Sequence, residues 1–555
     1  MTAQRRKLIV LGLDGATFDV VDPLVGKGIL PNMEKFMRNG VRARLISTIP
    51  PVTGPAWVSF MTGKSPENHG IFDFVTRTSP NELRRRIVNH EDIKSRTLWS
   101  ILTQNGKKIG MINVPMTYPL PHIRGFAIPG MLTPGNALDF AYPPHVIEDV
   151  KSVVGRYIPD VWWQLYSKRR IKPFLRHLIS CTVQRARISL FLMQKYEWDF
   201  FMVVLTGTDR IQHALWQFIS AILGEGALSR EQNGMRSLIV RYFQEIDTFV
   251  GHVAQLMDHR TQLIIMSDHG FGPLEGKFHI NGWLRDHGFL TWDEQKAKRL
   301  TVEREIRRVV GKMDFLKLRR RLLSNISPRP ARMQAYSFLE CIEWSKTRAY
   351  AASNTEQGIY VNLRGREPWG IVQPGEEYEQ TRSEIITQLS TLRDPDSNDG
   401  LVSSIYKREE VYDQGTYASD APDIIFFLKG GEYLADVELK DSLFEERSWK
   451  TGSGTHRREG IFIGGGTDIQ EGLHINDVRI IDLAPTILNM FGLSIPDDMD
   501  GRVLTEIFTK SFLQANVPTY TEADGESILD TRDGTRYSEE DEELVRDQLR
   551  GLGYL

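Results

Sequence analysis

Leu8-Ile9-Val10-Leu11-Gly12-Leu13-Asp14-Gly15 is an unbroken apolar run that stops on a carboxylate and a glycine. A strand with one face in water alternates apolar and polar residues, so an unbroken run predicts a strand covered on both faces. Three further segments have the same form: Lys108 to Pro115, Trp198 to Leu205 and Gln262 to His269. Helical stretches lie between them, for example Leu98 to Asn105 with Gly106 as a stop, and Leu238 to Met257 with spaced apolar residues. Strand and helix alternating in this way predict an α/β protein with a mainly parallel central sheet. Such sheets bind ligands beyond the carboxyl ends of their strands. The polar residues that end these runs therefore stand where chemistry is expected.

The composition sets bounds on the rest. With 555 residues, 41% hydrophobic and 25% charged, the chain has the make-up of a soluble globular protein of more than ordinary domain size. A formal net charge of −2 gives no global bias toward nucleic acid or membrane, and no nucleic-acid polymer is expected as a partner. Two cysteines, Cys181 and Cys341, exclude a disulfide framework. The first apolar run is too short for a signal-peptide core, and no stretch of about twenty apolar residues occurs, so a cytoplasmic location is expected.

Several strand-end and loop residues are candidate ligands. In Thr206-Gly-Thr-Asp-Arg-Ile-Gln-His213, Asp209 and His213 share one face of a helix beginning near Asp209 and can reach one cation. Asp268 and His269 are neighbours at a strand end, and both can serve one site only where the chain leaves the sheet, which Gly270 and Gly272 allow. His456 lies in Gly452-Ser-Gly-Thr-His-Arg-Arg-Glu-Gly460, which reads as a flexible polar loop before a strand at Ile461 to Ile463. Three Asp and three His, with Asp14 counted, suit two adjacent divalent ions: zinc, with manganese or iron as substitutes. Two such ions can stabilise both the attacking and leaving oxygens of a displacement at phosphorus. The nucleophile candidate is Thr53 in Ser47-Thr-Ile-Pro-Pro-Val-Thr-Gly-Pro-Ala-Trp57. It precedes an apolar helix, whose N-terminus favours a phosphate. A plain helix cap is the alternative reading of Thr53.

Thr53, then Met61-Thr-Gly-Lys-Ser-Pro-Glu-Asn-His-Gly-Ile71, then the Asp/His, Asp-His-Gly and Gly-Thr-His segments, resemble in that order the alkaline phosphatase superfamily. The branch most similar is the type I phosphodiesterase/nucleotide pyrophosphatase group. Asp482 to Leu488 and Asp500 to Leu504 also look like this group. The resemblance implies a three-layer sandwich about a mainly parallel sheet, with inserted cap segments. It implies one metal held by Asp209, His213 and His456, and a second by Asp14, Asp268 and His269 with Thr53 as a further ligand. It also implies a phosphodiesterase acting through a phosphothreonine at Thr53. A phosphomutase of the superfamily would have Ser there, and a sulfatase would show a Cys/Ser-x-Pro-x-Arg pattern. The remaining alternatives are a phosphomonoesterase and a non-catalytic, metal-stabilised protein that docks on lipid.

One departure concerns substrate. Nucleotide pyrophosphatases hold a phosphate oxygen with an Asn downstream of the nucleophile, and Phe74 falls nearest that place here. Gly54, Phe74 and His279 are the candidate substrate contacts, with Asn68, Arg210 or Arg457 as stand-ins for the Asn. The expected division is a core of 1–74, 196–294 and 335–510, a cap insertion at 75–195, a basic helical insertion at 295–334 and a tail at 511–555. Arg304 to Arg321 in the basic insertion could touch an anionic membrane. The tail is expected to be a surface helix.

Overall fold

All four apolar runs form strands, Lys7–Leu13, Ile109–Val114, Phe200–Leu205 and Thr261–Met266, and every position but Lys7 is buried. The computed structural model describes the chain apart from residues 1–5, 79–81, 83–84, 136, 138–139, 159, 162–169, 225, 301, 303–336, 413–414, 448–451, 524–536, 553 and 555. The four strands lie side by side and parallel, and Gly125–Pro129 adds a fifth parallel strand at one edge. Beyond Thr261–Met266, the strand Glu459–Gly465 runs antiparallel and pairs with Val41–Ile46. Two short strands, Leu473–His474 and Val478–Arg479, complete nine.

Both faces of this sheet are covered. Along Lys7–Leu13, Leu8 and Val10 enter a core shared with Ala56, Trp57 and Phe60 of the helix Thr53–Thr62. Ile9, Leu11 and Leu13 enter a second core with residues of the helices Ile171–Lys195 and Arg230–Leu256. Alternate side chains of one strand thus feed opposite layers, each fully buried aliphatic contributing about 1.5–3 kcal/mol. The result is the three-layer α/β sandwich with a mainly parallel central sheet. A second sheet of seven strands, including Gly276–His279, Gly358–Val361, Ile424–Leu428 and Tyr433–Asp436, is built from the later part of the chain.

One expectation needs correction. Residues 75–195 do not simply cap the core, because Ile109–Val114 and Gly125–Pro129 belong to the central sheet and Ile171–Lys195 covers one of its faces. Their continuous apolar character already required burial on both sides. The tail forms the helix Glu539–Leu552, which exposes Glu539, Glu540, Glu543 and Asp547 as a surface helix does and fully buries Val545 and Leu549 on its other face. The basic stretch Arg304 to Arg321 lies outside the described residues.

Candidate active site

Three parallel strands deliver the cluster at their carboxyl ends. Asp14 follows Leu13, and the next residue, Gly15, takes a positive φ of 69° and donates its N–H to Asp268 Oδ1 at 3.1 Å. A Cβ on Gly15 would meet the Phe271 ring at 2.9 Å, so both backbone and space call for glycine there. Phe200–Leu205 leads into the helix Gly207–Leu223, whose first turn carries Asp209 and whose second carries His213. Asp268 and His269 sit between Met266 and the short strand Gly270–Pro273, where the chain has left the main sheet. His456 is not in a loop. Gly454–Arg457 is a strand antiparallel to Gly270–Pro273, with His456 opposite Phe271. That pairing stacks the His456 and His269 rings, with centroids 3.7 Å apart.

The imidazoles are oriented from behind by the backbone. Nδ1 of His213, His456 and His269 lies 3.0, 2.9 and 3.0 Å from the carbonyl oxygens of Gly454, Pro51 and Gly270. With Nδ1–H donating, each Nε2 presents a lone pair. Those of His213 and His456 face each other at 2.9 Å, and Asp209 Oδ1 lies 3.3 and 3.2 Å from them. With both rings neutral in that tautomer, Asp209 and the two imidazoles offer three acceptors to one point. Tetrahedral zinc with N/O bonds of ~2.0–2.1 Å spaces its ligand atoms by about 3.3 Å, so the donor set fits a divalent cation. His269 Nε2 lies 3.3 Å from Asp268 Oδ2, 3.8 Å from Asp14 Oδ1 and 3.2 Å from Thr53 Oγ. Among the described residues no hydrogen-bond donor reaches either oxygen of Asp14 or Oδ2 of Asp268, all of which are buried. Such atoms are costly unless a positive charge faces them.

Electrostatics follow from the same packing. Burial, then Asp268 and Asp209, pushes the Asp14 carboxyl well above the usual range. Burial pushes Asp268 the same way against the bond from Gly15. Burial opposes ionisation of Asp209 too, but His213 and Arg210 outweigh it and hold that carboxyl well below the usual range. Burial, reinforced by the neighbouring His456, keeps His269 neutral.

Thr53 opens the helix Thr53–Thr62, and Val52 is its cap residue. The Thr53 hydroxyl is therefore not spent on capping, and it points to His269 Nε2 and to the phenol of Tyr554 at 3.3 Å. Trp57 of this helix packs where a Cβ on Gly12 would stand, 2.6 Å from its ring, which seats the helix on the first strand. Gly54 faces Phe74 in the same way, at 3.2 Å. Phe74 is fully buried, and its ring lies 4.8 Å from that of Tyr554. Neither cysteine joins the site; both are buried, and they form no disulfide.

Other candidates lie elsewhere. His279 is buried in the second sheet, its ring 3.4 Å from Asp436 and 3.7 Å from Glu445. Asn68 donates to the Asp500 carboxylate at 2.9 and 3.0 Å. The Arg457 guanidinium bonds the carbonyls of Gly431 and Pro273. Arg210 does reach the cluster, bridging Asp209 and Asp160. Tyr554 had no signal beyond a lone aromatic after a charged helix, and sequence reasoning missed it.

The sequence profile of the family described as type I phosphodiesterase / nucleotide pyrophosphatase matches residues 8–457. The chain belongs to that family. Its members are phosphoric ester hydrolases, and this protein is a phosphoric ester hydrolase. Among solved structures it is similar to a variant of the alkaline phosphatase PafA, at 14% identity and TM-score 0.51 over 92% of this chain and 100% of that one. Phosphonoacetate hydrolase from Sinorhizobium meliloti 1021, in complex with phosphonoformate, is similar at 14% identity and TM-score 0.52, covering 86% and 94% of the two chains. Murine ectonucleotide pyrophosphatase / phosphodiesterase 5, as an inactive variant with AMP, gives 12% identity and TM-score 0.49 over 91% and 100%. Among curated protein sequences none matches this chain. Among the described residues no helix is long and apolar enough to cross a membrane.

Asp73, beside Phe74, supplies a pH test of this region. Its carboxylate accepts hydrogen bonds from Ser353 and Thr355, both at 2.5 Å. Burial, then Glu356, nevertheless raises its pKa to about 6. A carboxyl raised in the folded state stabilises the fold fully below its unfolded pKa, near 4, and that contribution is lost as pH rises through about 6. Asp73→Asn is neutral throughout. Its melting temperature should therefore gain on that of the wild type between pH 4.5 and 7, by the equivalent of up to about 3 kcal/mol. A difference that stays constant across this range would refute the assignment.

Proposed function

We propose that this protein is a metal-dependent phosphodiesterase that works through a covalent phosphothreonine at Thr53. Asp209, His213 and His456 would hold one divalent ion, and Asp14, Asp268 and His269 a second, with Thr53 as a further ligand. The observation that carries the reading is the convergence of imidazole lone pairs and donor-free carboxylates beside an uncapped hydroxyl. Zinc suits this mixed N/O set, with manganese or iron as substitutes. Bound there, the ions would supply Lewis acidity and lower the pKa of the nucleophile. Thr53 Oγ forms a bond to phosphorus as the bond to the leaving alcohol breaks. Water then attacks the phosphothreonine, the Oγ–P bond breaks, and the threonine hydroxyl and a monoester are restored. A diester fits better than a dianionic monoester because the groups beside Thr53 are neutral, Tyr554 and Phe74, and Arg210 is tied to two carboxylates. The two cysteines, buried and not joined in a disulfide, fit a cytoplasmic setting.

Turnover of bis-p-nitrophenyl phosphate and of p-nitrophenyl phosphate tests this before and after metal removal. The diester is expected to be favoured by roughly tenfold or more in kcat/KM. Stripping with a chelator should cost on the order of a thousandfold, recovered by two equivalents of zinc or manganese. Full activity in stripped protein, or a faster monoester, would overturn the corresponding half of the reading.

A further inference from the structure

A helix as acidic as Glu539–Leu552 gains little from burial unless its few apolar residues find a face. Val545 and Leu549, one turn apart, are fully buried. Around them the helix is tied to the segment 75–195. Glu542 accepts from Ile87 N–H at 3.4 Å and from Arg546 at 2.6 Å. Gln548 donates to Asp160 at 3.3 Å, the carboxylate that also holds Arg210. Ahead of the helix, Tyr537 donates its O–H to Leu132 O at 2.7 Å. After it, the Tyr554 N–H bonds back to Leu549 O at 3.0 Å, which turns the chain inward. The Tyr554 side chain, 3% exposed, then lies between Phe74 and the histidines. Its ring centroid is 4.8 Å from that of Phe74, 5.9 Å from His456 and 6.2 Å from His213. Its oxygen is 3.3 Å from Thr53 Oγ.

Resting on the assignment of Thr53 as nucleophile, we propose that Tyr554 is a catalytic residue whose phenolic O–H donates a hydrogen bond to a non-bridging oxygen of the phosphoryl group at Thr53. An oxygen one bond beyond phosphorus falls within O–H···O range of a donor placed this near to Oγ. A phenol is protonated at neutral pH, so it can donate. It brings no charge, which matches a diester's single negative charge. Charge spreads onto the non-bridging oxygens in the transition state, and a fixed donor aimed there acts on kcat. The ring, seated on Phe74, forms the pocket wall beside one ester group.

Tyr554→Phe keeps the ring and its packing and removes only the oxygen. In the metal-loaded, full-length protein it should lower kcat for bis-p-nitrophenyl phosphate on the order of a hundredfold, with KM little changed. Calorimetry should show orthovanadate binding weakened by a similar factor, with metal content and melting temperature as in the wild type. Wild-type kcat and vanadate affinity in Tyr554→Phe would overturn the proposal. So would a Tyr554→Ala variant faster than wild type, which would make the tail an occluding plug. Thr53→Ala, assayed alongside, reports on the parent assignment separately: undiminished turnover there removes both.

Discussion

Thr53→Ala is expected to lose hydrolysis of bis-p-nitrophenyl phosphate by a factor on the order of ten thousand or more while two metal ions stay bound. The helix does not depend on this hydroxyl, because Val52 is the cap residue and no side-chain capping bond exists to lose. Alanine is a good helix former in the first turn. The six Asp and His side chains come from strand ends and a strand pair that Thr53 does not hold in place. Melting temperature and metal content should therefore stay near wild type, so that a fall in kcat reports the chemistry alone. Thr53→Ser keeps an oxygen at the same Cβ and should retain measurable turnover. Hydrolysis that survives in the alanine variant would move the nucleophile elsewhere and leave the ions to activate water directly.

Much of this site was legible because strand ends carry it. The four apolar runs had to be buried on both faces, and a parallel sheet puts their carboxyl ends on one edge. Asp14, Asp209, Asp268 and His269 could thus be gathered from local sequence. The same logic placed Thr53 at a helix start, though only the structure showed that it is not the cap, by putting Val52 in the capping position. His456 was read into a loop, since Gly452-Ser-Gly-Thr-His has the composition of one. Its strand exists only through pairing with Gly270–Pro273, nearly two hundred positions away in sequence, which no local pattern reports. The second sheet escaped the reading for a related reason, as its short strands are defined by partners distant along the chain. The tail was harder still. Four apolar residues in an acidic helix, of which Val545 and Leu549 are buried, make a weak stripe, and the side chain that enters the site lies past the helix end. Residues 75–195 looked like an insertion because aromatic and proline-rich loops separate their strands, yet the strands themselves carry the same unbroken apolar signal as the rest of the sheet.

Asp209→Asn should remove at least one metal ion per chain and lower turnover on the order of a thousandfold, without unfolding the protein. In the wild type one carboxylate oxygen faces the Nε2 atoms of His213 and His456, and the other accepts from Arg210. An asparagine in the same place can keep its carbonyl oxygen toward Arg210, which also retains Asp160. Its NH2 then points at the two imidazole lone pairs and satisfies both. The amide supplies in neutral form the donors that the wild-type arrangement otherwise requires from a cation. Two consequences separate this account from simple damage. A chelator should lower the melting temperature of the wild type by several degrees, because an ion that binds only the folded state stabilises it. In Asp209→Asn that shift should shrink, and the chelated variant should melt no lower than chelated wild type. A full metal complement in the variant would remove Asp209 from the ligand set. A variant that melts far below stripped wild type would show instead that the buried charge is needed to hold Arg210, and that the carboxylate serves the fold before it serves the site.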